Sequence, residues 1–545
     1  GHLALRLDAF FKRVTARYEA SLRRFLGVPA LSVGLLAAVA AGGAWLFSQL
    51  PSEYAPGEDR NMILMMMRAP EGATPGYMDR QVQTVENLLM PYVASGDVKR
   101  VVARTGMLGG GGDVNTAFVY LPLESRGIRT RSAEALSAEI RQKVSQLPGS
   151  ITTVFLPPSL GIRSSGSGLA VVLSGNTYEE LTEWQERIIA RVNEENPQLL
   201  GMRSDFFPTK PKIKINVDRN RANDLGISLQ TIGSTLETML GSRIVTTFVD
   251  RGEEYNVVLQ GVPRDRATPS DLANIYVRST RSGQLVPLAN LVTLEEIAGP
   301  KELKRYNQLR SVTLSASLAP GYSLGEAVKY IEELVATELP PTATIAFDGE
   351  ARELKESGNA VYLTFGLALL VVFLILAAQF ESFRHPLVIL ITVPLALAGG
   401  LVGLWLFGSS INVYSQIGAI MLIGLAAKNG ILIVEFANQL RDRGVEFIEA
   451  IVSASAIRLR PVVMTSLCTA FGAVPLILAA GAGAEARKTL GATVFFGVTI
   501  SVFLTLYIIP AMYALLAWNT HSPEYLTRLV EKLKREVGEP ASETP

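Results

Sequence analysis

Hydrophobic positions crowd into one segment near the start of the chain and into a dense block after residue 358, while the region between alternates short apolar and polar patterns. A helix needs about 20 apolar residues to cross a hydrocarbon core. Stretches near 28–50, 359–380, 386–407, 413–437, 461–480 and 489–517 meet that requirement. The prolines and glycines inside them, such as Pro394, Pro475, Pro510, Gly399 and Gly400, are tolerated in membrane helices whose neighbours satisfy the freed backbone groups. The first span follows a basic amphipathic lead and is longer than the apolar region of a cleaved signal peptide.

Residues 51–358 read differently. Strand patterns near 61–68, 98–104, 116–121 and 151–156 enclose helical patterns at 76–95 and 132–146, an order β-α-β-β-α-β. A second set starts with a strand at 169–173, a helix at 177–194 and a strand near 200–206. It resumes with a strand at 310–318, a helix at 323–338 and a strand at 343–348. The stretch between, about 211–300, reads as an insertion with strands of its own (PKIKINV, YNVVLQG, ANIYVRS).

Basic residues in the short flanks set an orientation, because Lys and Arg are retained on the cytoplasmic side. Arg6, Lys12, Arg13, Arg17, Arg23 and Arg24 put the lead inside, where it is expected to lie as an anchor on the anionic inner leaflet. Arg441, Arg443, Arg458 and Arg460 put the connection 438–460 inside as well, and Arg528, Lys532, Lys534 and Arg535 do so for the C-terminal tail. The connections at 408–412 and 481–488 fall outside, and so does the block 51–358.

Composition narrows the chemistry. The 545 residues are 48% hydrophobic and 19% charged, with 51 Lys and Arg against 50 Asp and Glu, a balance that offers nothing to a nucleic acid. One cysteine, Cys468, excludes a disulfide framework, and three distant histidines leave little for zinc. No cofactor is implied, and an enzyme is disfavoured because no nucleophile–histidine pair, metal cluster or nucleotide loop is visible. Met62 and the run Met65–Met66–Met67 could suit a soft metal, but consecutive strand residues point to opposite faces, so a methionine-filled core is the better reading. The run Gly109–Gly112 lies between two strands and lacks a following Lys-Ser/Thr, so it reads as a mobile loop, not a phosphate cradle.

Lys428 carries the most chemistry. It sits near the middle of the fourth apolar stretch, where a lysine costs about 2.5–3.5 kcal/mol on insertion scales. Glu435 is two turns away, about 10 Å along a helix axis, and no aspartate lies in any of the six spans. Asn429 and Thr465 are polar but cannot neutralise an ammonium. Either helix carbonyls hold the lysine, or a carboxylate from another helix pairs with it and releases it on protonation, coupling protons to helix movement. The missing acid implies a missing partner half.

The stretch IGLAAKNGILIVEFANQLRDRG followed by RLRPVVMTSL resembles the resistance-nodulation-division (RND) efflux transporters, hydrophobe/amphiphile branch. LPSEYAPGEDRNMI, DRNRANDLGIS, FVDRGEEYNVVLQ, GQLVPLANLVT, GEARELKESGNA and LAAQFESFRHPLVILITVPLALAGG extend the resemblance over the whole chain. It implies the C-terminal half of a pump: six transmembrane helices, plus an α+β periplasmic portion of split-βαβ, ferredoxin-like porter subdomains with an inserted docking subdomain. The expected division is a cytoplasmic lead (1–27), a first span (28–50) and a first porter subdomain (51–160). A second porter subdomain (161–210 and 301–358) is split by the docking subdomain (211–300), and five spans (359–517) and a cytoplasmic tail (518–545) complete it.

The resemblance further implies a proton-driven transporter, not an enzyme, in a Gram-negative inner membrane. The N-terminal half, a homotrimer of full pumps, a periplasmic adaptor and an outer-membrane channel are its implied partners besides the lipid bilayer. Lys428, Arg458 and Thr465 match the family's proton relay, whose aspartates belong to the absent half. The loop 106–115 matches a switch loop beside substrate, where Met107 and Leu108 stand instead of phenylalanines; these two, Gly109, Gly110 and Phe118 on the next strand are the substrate-side residues the resemblance implies. The heavy-metal branch would place a glutamate in the membrane where AAKNG stands, and no metal site is expected. Two alternatives are an exporter of endogenous lipids and a membrane-anchored assembly or regulatory protein that kept the fold.

Overall fold

Pro29 cannot donate to a continuing helical ladder, so the lead and the first apolar stretch form two helices, α1 (His2–Leu26) and α2 (Pro29–Gln49), parted at Gly27 and Val28. The computed structural model describes residues 2–106, 113–157, 160, 168–319, 321–519 and 533 of the chain. These fall into two units. One takes in the described residues of 1–69, 75–205 and 305–545, and the other those of 70–74 and 206–304.

In the first unit, β1 (Met62–Arg68), α3 (Pro75–Ala94), β2 (Val102–Thr105), β3 (Thr116–Pro122), α4 (Ala133–Val144) and β4 (Ile151–Phe155) follow in order. The sheet runs β2-β3-β1-β4 with antiparallel neighbours. Alternation along β1 buries Ile63, Met65 and Met67 on one face and leaves Met62, Leu64 and Met66 half-buried on the other.

Between β3 and α4, Arg129 is buried and each of its three nitrogens donates. Nε donates to the Glu124 carbonyl (2.7 Å), Nη1 to the Arg131 carbonyl (2.6 Å), and Nη2 to Asp59 and to Asn61 Oδ1 (3.0 Å). Asp59 also accepts from the Ala133 N–H at 3.0 Å, an otherwise unpaired donor in the first turn of α4. Burial alone would raise the Asp59 carboxyl, but the bonds from Arg129 and from the Ala133 and Asn61 N–H groups more than offset it and hold it below its ordinary value.

The next sheet starts with β5 (Leu169–Gly175), α5 (Tyr178–Glu195) and β6 (Leu199–Ser204). The chain then builds the second unit from β7 (Lys210–Val217), α6 (Arg219–Asp224), α7 (Leu229–Leu236), β8 (Arg243–Asp250), β9 (Glu253–Leu259), β10 (Tyr276–Arg278), β11 (Leu285–Pro287) and β12 (Val292–Gly299). Its core gathers Ile227, Ile232, Leu272, Val277, Leu288 and Leu291. β7 pairs with β12, β10 with β11, and β8–β9 forms an exposed two-stranded ribbon.

Back in the first unit, β13 (Arg305–Tyr306), β14 (Leu309–Leu318), α8 (Leu324–Glu338) and β15 (Thr344–Asp348) complete the second sheet. β14 sits between β5 and, on its other edge, β13 and β6, while β15 closes the far side of β5. Every residue of β5 is buried.

The apolar block forms α9 (Glu350–Phe380), α10 (Arg384–Leu390), α11 (Thr392–Leu406), α12 (Val413–Asp442), α13 (Phe447–Ile477) and α14 (Ala484–Leu516). With α10 and α11 counted together and α2 added, six stretches among the described residues are long and apolar enough to cross a membrane. Boundaries depart from expectation in three places. α9 begins at Glu350, and its 31 residues span about 46 Å, more than a hydrocarbon core of about 30 Å. The stretch 386–407 is divided near Ile391, where Pro394 leaves the Leu390 carbonyl without its helical donor.

The third departure is in α13, which begins at Phe447, so Arg458 and Arg460 lie inside a helix and not in the connection 438–460. Their guanidiniums find aromatic cover there, on Phe436 at 4.6 Å and Phe11 at 5.0 Å from the ring centroids.

α11 and α14 pack backbone to backbone. A Cβ on Gly403 would fall 2.7 Å from the Ala492 carbonyl oxygen, and one on Gly399 2.8 Å from that of Phe496. Helix α1 does more than lie on a surface, because Tyr18 and Leu22, one turn apart, are buried in the same core as α12–α14. On the opposite side of the bundle, the segment after α2 is tied to the α11–α12 connector. The Ile411 N–H donates to the Pro51 carbonyl (2.8 Å), and the Ser410 hydroxyl donates to Glu53 (2.8 Å), whose carboxyl burial pushes up.

Candidate functional site in the helical bundle

Asn412 starts α12 by accepting from the Tyr414 and Ser415 N–H groups, while the Ser415 hydroxyl accepts from the Asn412 N–H. The helix then runs unbroken to Asp442, with Lys428 near its midpoint. Ala427, Asn429 and Gly430 are buried, and Lys428 is exposed. Two contacts fix that rotation. The Ser466 hydroxyl of α13 donates to Asn429 Oδ1 at 3.3 Å, and a Cβ on Gly430 would stand 3.2 Å from Ile389 of α10. With Asn429 and Gly430 turned inward, Lys428 must face outward.

From Ile417 to Lys428 the outward face is apolar apart from the lysine. Ile417, Met421, Gly424 and Lys428 recur at helical spacing on α12, and Met464, Leu467, Cys468 and Phe471 are exposed on α13. Among the described residues Lys428 has no hydrogen-bond or ion-pair partner. Glu435, about 10 Å further along the axis, accepts from Gln439 Nε2 at 3.1 Å. The Asn429–Ser466 bond joins the residues adjoining Lys428 and Thr465, so the two helices meet at one level there.

The Thr465 hydroxyl donates to the Val462 carbonyl of its own helix at 3.2 Å. Arg458 is two turns from Thr465, half-buried over Phe436, with its Nε buried and unbonded. The structure therefore sets Lys428 and Thr465 near one level and Arg458 at another. Ser466 was not singled out by sequence; its only signal was a second hydroxyl beside Thr465.

Of the substrate-side residues, Met107, Leu108, Gly109 and Gly110 lie outside the described residues. Phe118 is half-buried on β3, paired in register with Met66 of β1 and Arg104 of β2, on the sheet face turned away from the Met65–Met67 core. No group of three or more His, Cys, Asp or Glu among the described residues could hold a metal ion.

Comparison with known proteins puts a family to this architecture. The AcrB/AcrD/AcrF family matches residues 2–517. The multidrug/solvent efflux pump membrane transporter MepB of Pseudomonas putida is 32% identical over 511 residues, covering 92% of this chain and 48% of MepB. The multidrug export protein AcrF of Escherichia coli K12 is 31% identical over 515 residues, 93% of this chain and 49% of AcrF. An uncharacterized transporter of Haemophilus influenzae is 32% identical over 487 residues, 88% of this chain and 46% of that protein. The chain spans about half the length of the curated relatives it matches. A match over most of the chain settles the kinship: it belongs to the AcrB/AcrD/AcrF family of RND efflux transporters.

Proposed function

We infer that the chain is the C-terminal half of a proton-driven efflux transporter that exports hydrophobic or amphiphilic compounds. The observation that carries this is the placement of Lys428: midway along an apolar helix, turned away from its own bundle, with Glu435, two turns along the same face, as that face's nearest carboxylate and engaged with Gln439. A cation there is costly unless a second set of helices supplies carboxylates. Protonation of those carboxylates releases the ammonium and lets α12 shift. Thr465, across the Asn429–Ser466 bond, and Arg458, two turns along α13, stand where they can relay or assist the proton.

The coverage of MepB and AcrF favours the half-pump reading, and their names favour drugs and solvents as cargo. The two sheets of like strand order are read as split-βαβ porter subdomains, and the β7–β12 unit as a docking subdomain for an adaptor and an outer-membrane channel. Phe118 and the loop before it are read as substrate contacts. The complete protein is read as a trimer in an inner membrane, with both ends of this chain cytoplasmic and the sheets outside.

Proteoliposomes test this reading. Substrate-dependent proton flux is expected when the chain is reconstituted with the other half, and none when it is alone. Flux from the chain alone, or none from the complete pump, overturns it. A cysteine at exposed Ser282 should react from the periplasmic side and one at exposed Arg443 should not.

A further inference from the structure

The helix α14 contains a proline, Pro510, four residues after Leu506. Proline has no N–H, so the Leu506 carbonyl loses its helical donor, and the ring crowds that carbonyl. Leu506 is 5% exposed, so water does not readily replace the donor. The replacement comes from α1: the Tyr18 hydroxyl donates to the Leu506 carbonyl oxygen. Tyr18 is itself 6% exposed and lies beside Ser455 of α13, and burial pushes its phenol up, so it stays a donor.

The contacts around this bond are specific to α1. The Tyr18 and Phe25 rings meet Tyr507 edge-on at 5.5 and 5.6 Å, and Ser21 hydrogen-bonds the Tyr507 hydroxyl at 2.9 Å. Arg23 clasps Glu449 of α13 with two bonds of 2.8 Å, and Arg460 of α13 covers Phe11. The lead helix therefore grips the start of α13 and the proline turn of α14 together.

We propose that α1 is a latch on a proline hinge, with Tyr18 as a positioning residue: docked, it occupies the carbonyl freed by Pro510 and restrains α14, and its release lets α14 flex during transport. The gating clause rests on the export reading above, whereas the docking clause does not. Leu506 and Pro510 flank the site, so the hydrogen bond and the hinge form one device. Removing the hydroxyl weakens the grip, and restoring an N–H at position 510 makes the hydroxyl redundant.

The test uses the intact transporter with Cys468→Ser and spin labels at Arg17→Cys on α1 and Leu515→Cys on α14, beyond the proline. Tyr18→Phe keeps the ring and deletes the hydroxyl. The undocked fraction should rise about three- to tenfold, the range that one neutral hydrogen bond supplies. Maximal turnover should change several-fold with the substrate KM unmoved. In a Pro510→Ala background the same substitution should do almost nothing.

Equal effects in both backgrounds would mean that Tyr18 only packs, and an unmoved distance distribution would mean that it holds nothing. Either overturns the latch, as does a broadened distribution with unchanged turnover. If Pro510→Ala does not accumulate, Tyr507→Phe is the control, since it removes a neighbouring hydroxyl but leaves Leu506 satisfied. A pump with no flux at all, yet with the expected distance changes, would sink the export reading and keep the docking contact.

Discussion

Arg129 and Lys428 are two cations withdrawn from ordinary solvent, and the chain treats them in opposite ways. Around Arg129, between β3 and α4, the surroundings supply two carbonyls, a carboxylate and an amide oxygen, and the side chain is 0% exposed. Around Lys428, on α12, the chain supplies apolar neighbours and no partner among the described residues, Glu435 being two turns away. A buried charge whose every nitrogen finds an acceptor locks a fold. A charge left open at mid-helix is poised for something that arrives. The first region finds its partners within this chain, and on the reading proposed above the second finds them on another set of helices.

The sharpest way to break that contrast is Lys428→Met, which keeps length and helix propensity and deletes the charge. Substrate-dependent proton flux in the complete pump should fall about 100-fold or more, the range that a positioned proton-handling group supplies. Trimer assembly and substrate binding should survive. Undiminished flux would reduce Lys428 to a structural role.

Arg129→Met should do the reverse: it takes the guanidinium from half-buried Asp59, which keeps only its two backbone N–H donors, and from Asn61, and destabilises the first sheet region by about 1–3 kcal/mol. Limited proteolysis and thermal melting read this, and flux per folded molecule should change little. The same ion pair has a pH signature. Asp59 is held below its ordinary value in the folded state, so its contribution is present above the unfolded pKa and is lost as pH falls through the folded one. Melting temperature should therefore drop in strong acid, and drop less in the Arg129→Met protein.

How much of this was legible beforehand differs between the two regions. The short apolar run in NMILMMMR foretold β1, and Met65 and Met67 do enter the core while Met66 points away. The Ser323–Glu326 spacing is a helix-start pattern, and α8 begins there with both reciprocal bonds made. Lys428 was visible as a charge, but its direction was not, because direction depends on Ser466 and Ile389 meeting Asn429 and Gly430 from other helices. The start of α13 was misread because Arg458 and Arg460 look like loop charges until Phe436 and Phe11 are seen covering them. Tyr18 looked like one more residue of a surface helix, since nothing local links it to a carbonyl 488 positions away.

A smaller effect sharpens the claim that the Lys428 face is unfinished. A Cβ on Gly424 would meet nothing within 4 Å, so Gly424→Leu should leave the melting of this chain alone within about 0.5 kcal/mol. With a second half packed on α12, the added side chain should cost the complex about 1–3 kcal/mol through overpacking. Equal melting shifts in the two preparations would mean that nothing approaches that face.

The mildest test asks how far the covered face extends. Cys468 is the chain's sole cysteine, exposed one turn beyond Thr465 on α13 and near Met464 and Phe471 on the same outward side. If the absent helices cover α13 as well as α12, an apolar maleimide should reach the Cys468 thiol on the order of tenfold more slowly in the complete pump than in the isolated chain, both in the same detergent, because thiol reactivity follows access. Mass spectrometry of the peptide carrying Cys468 reads the label without interference from cysteines elsewhere. Equal rates would confine the interface to α12, and Thr465 would then stand at its edge with Lys428 alone at its centre. A slower rate that is restored by Gly424→Leu would tie both helices to one packed surface with Lys428 in it.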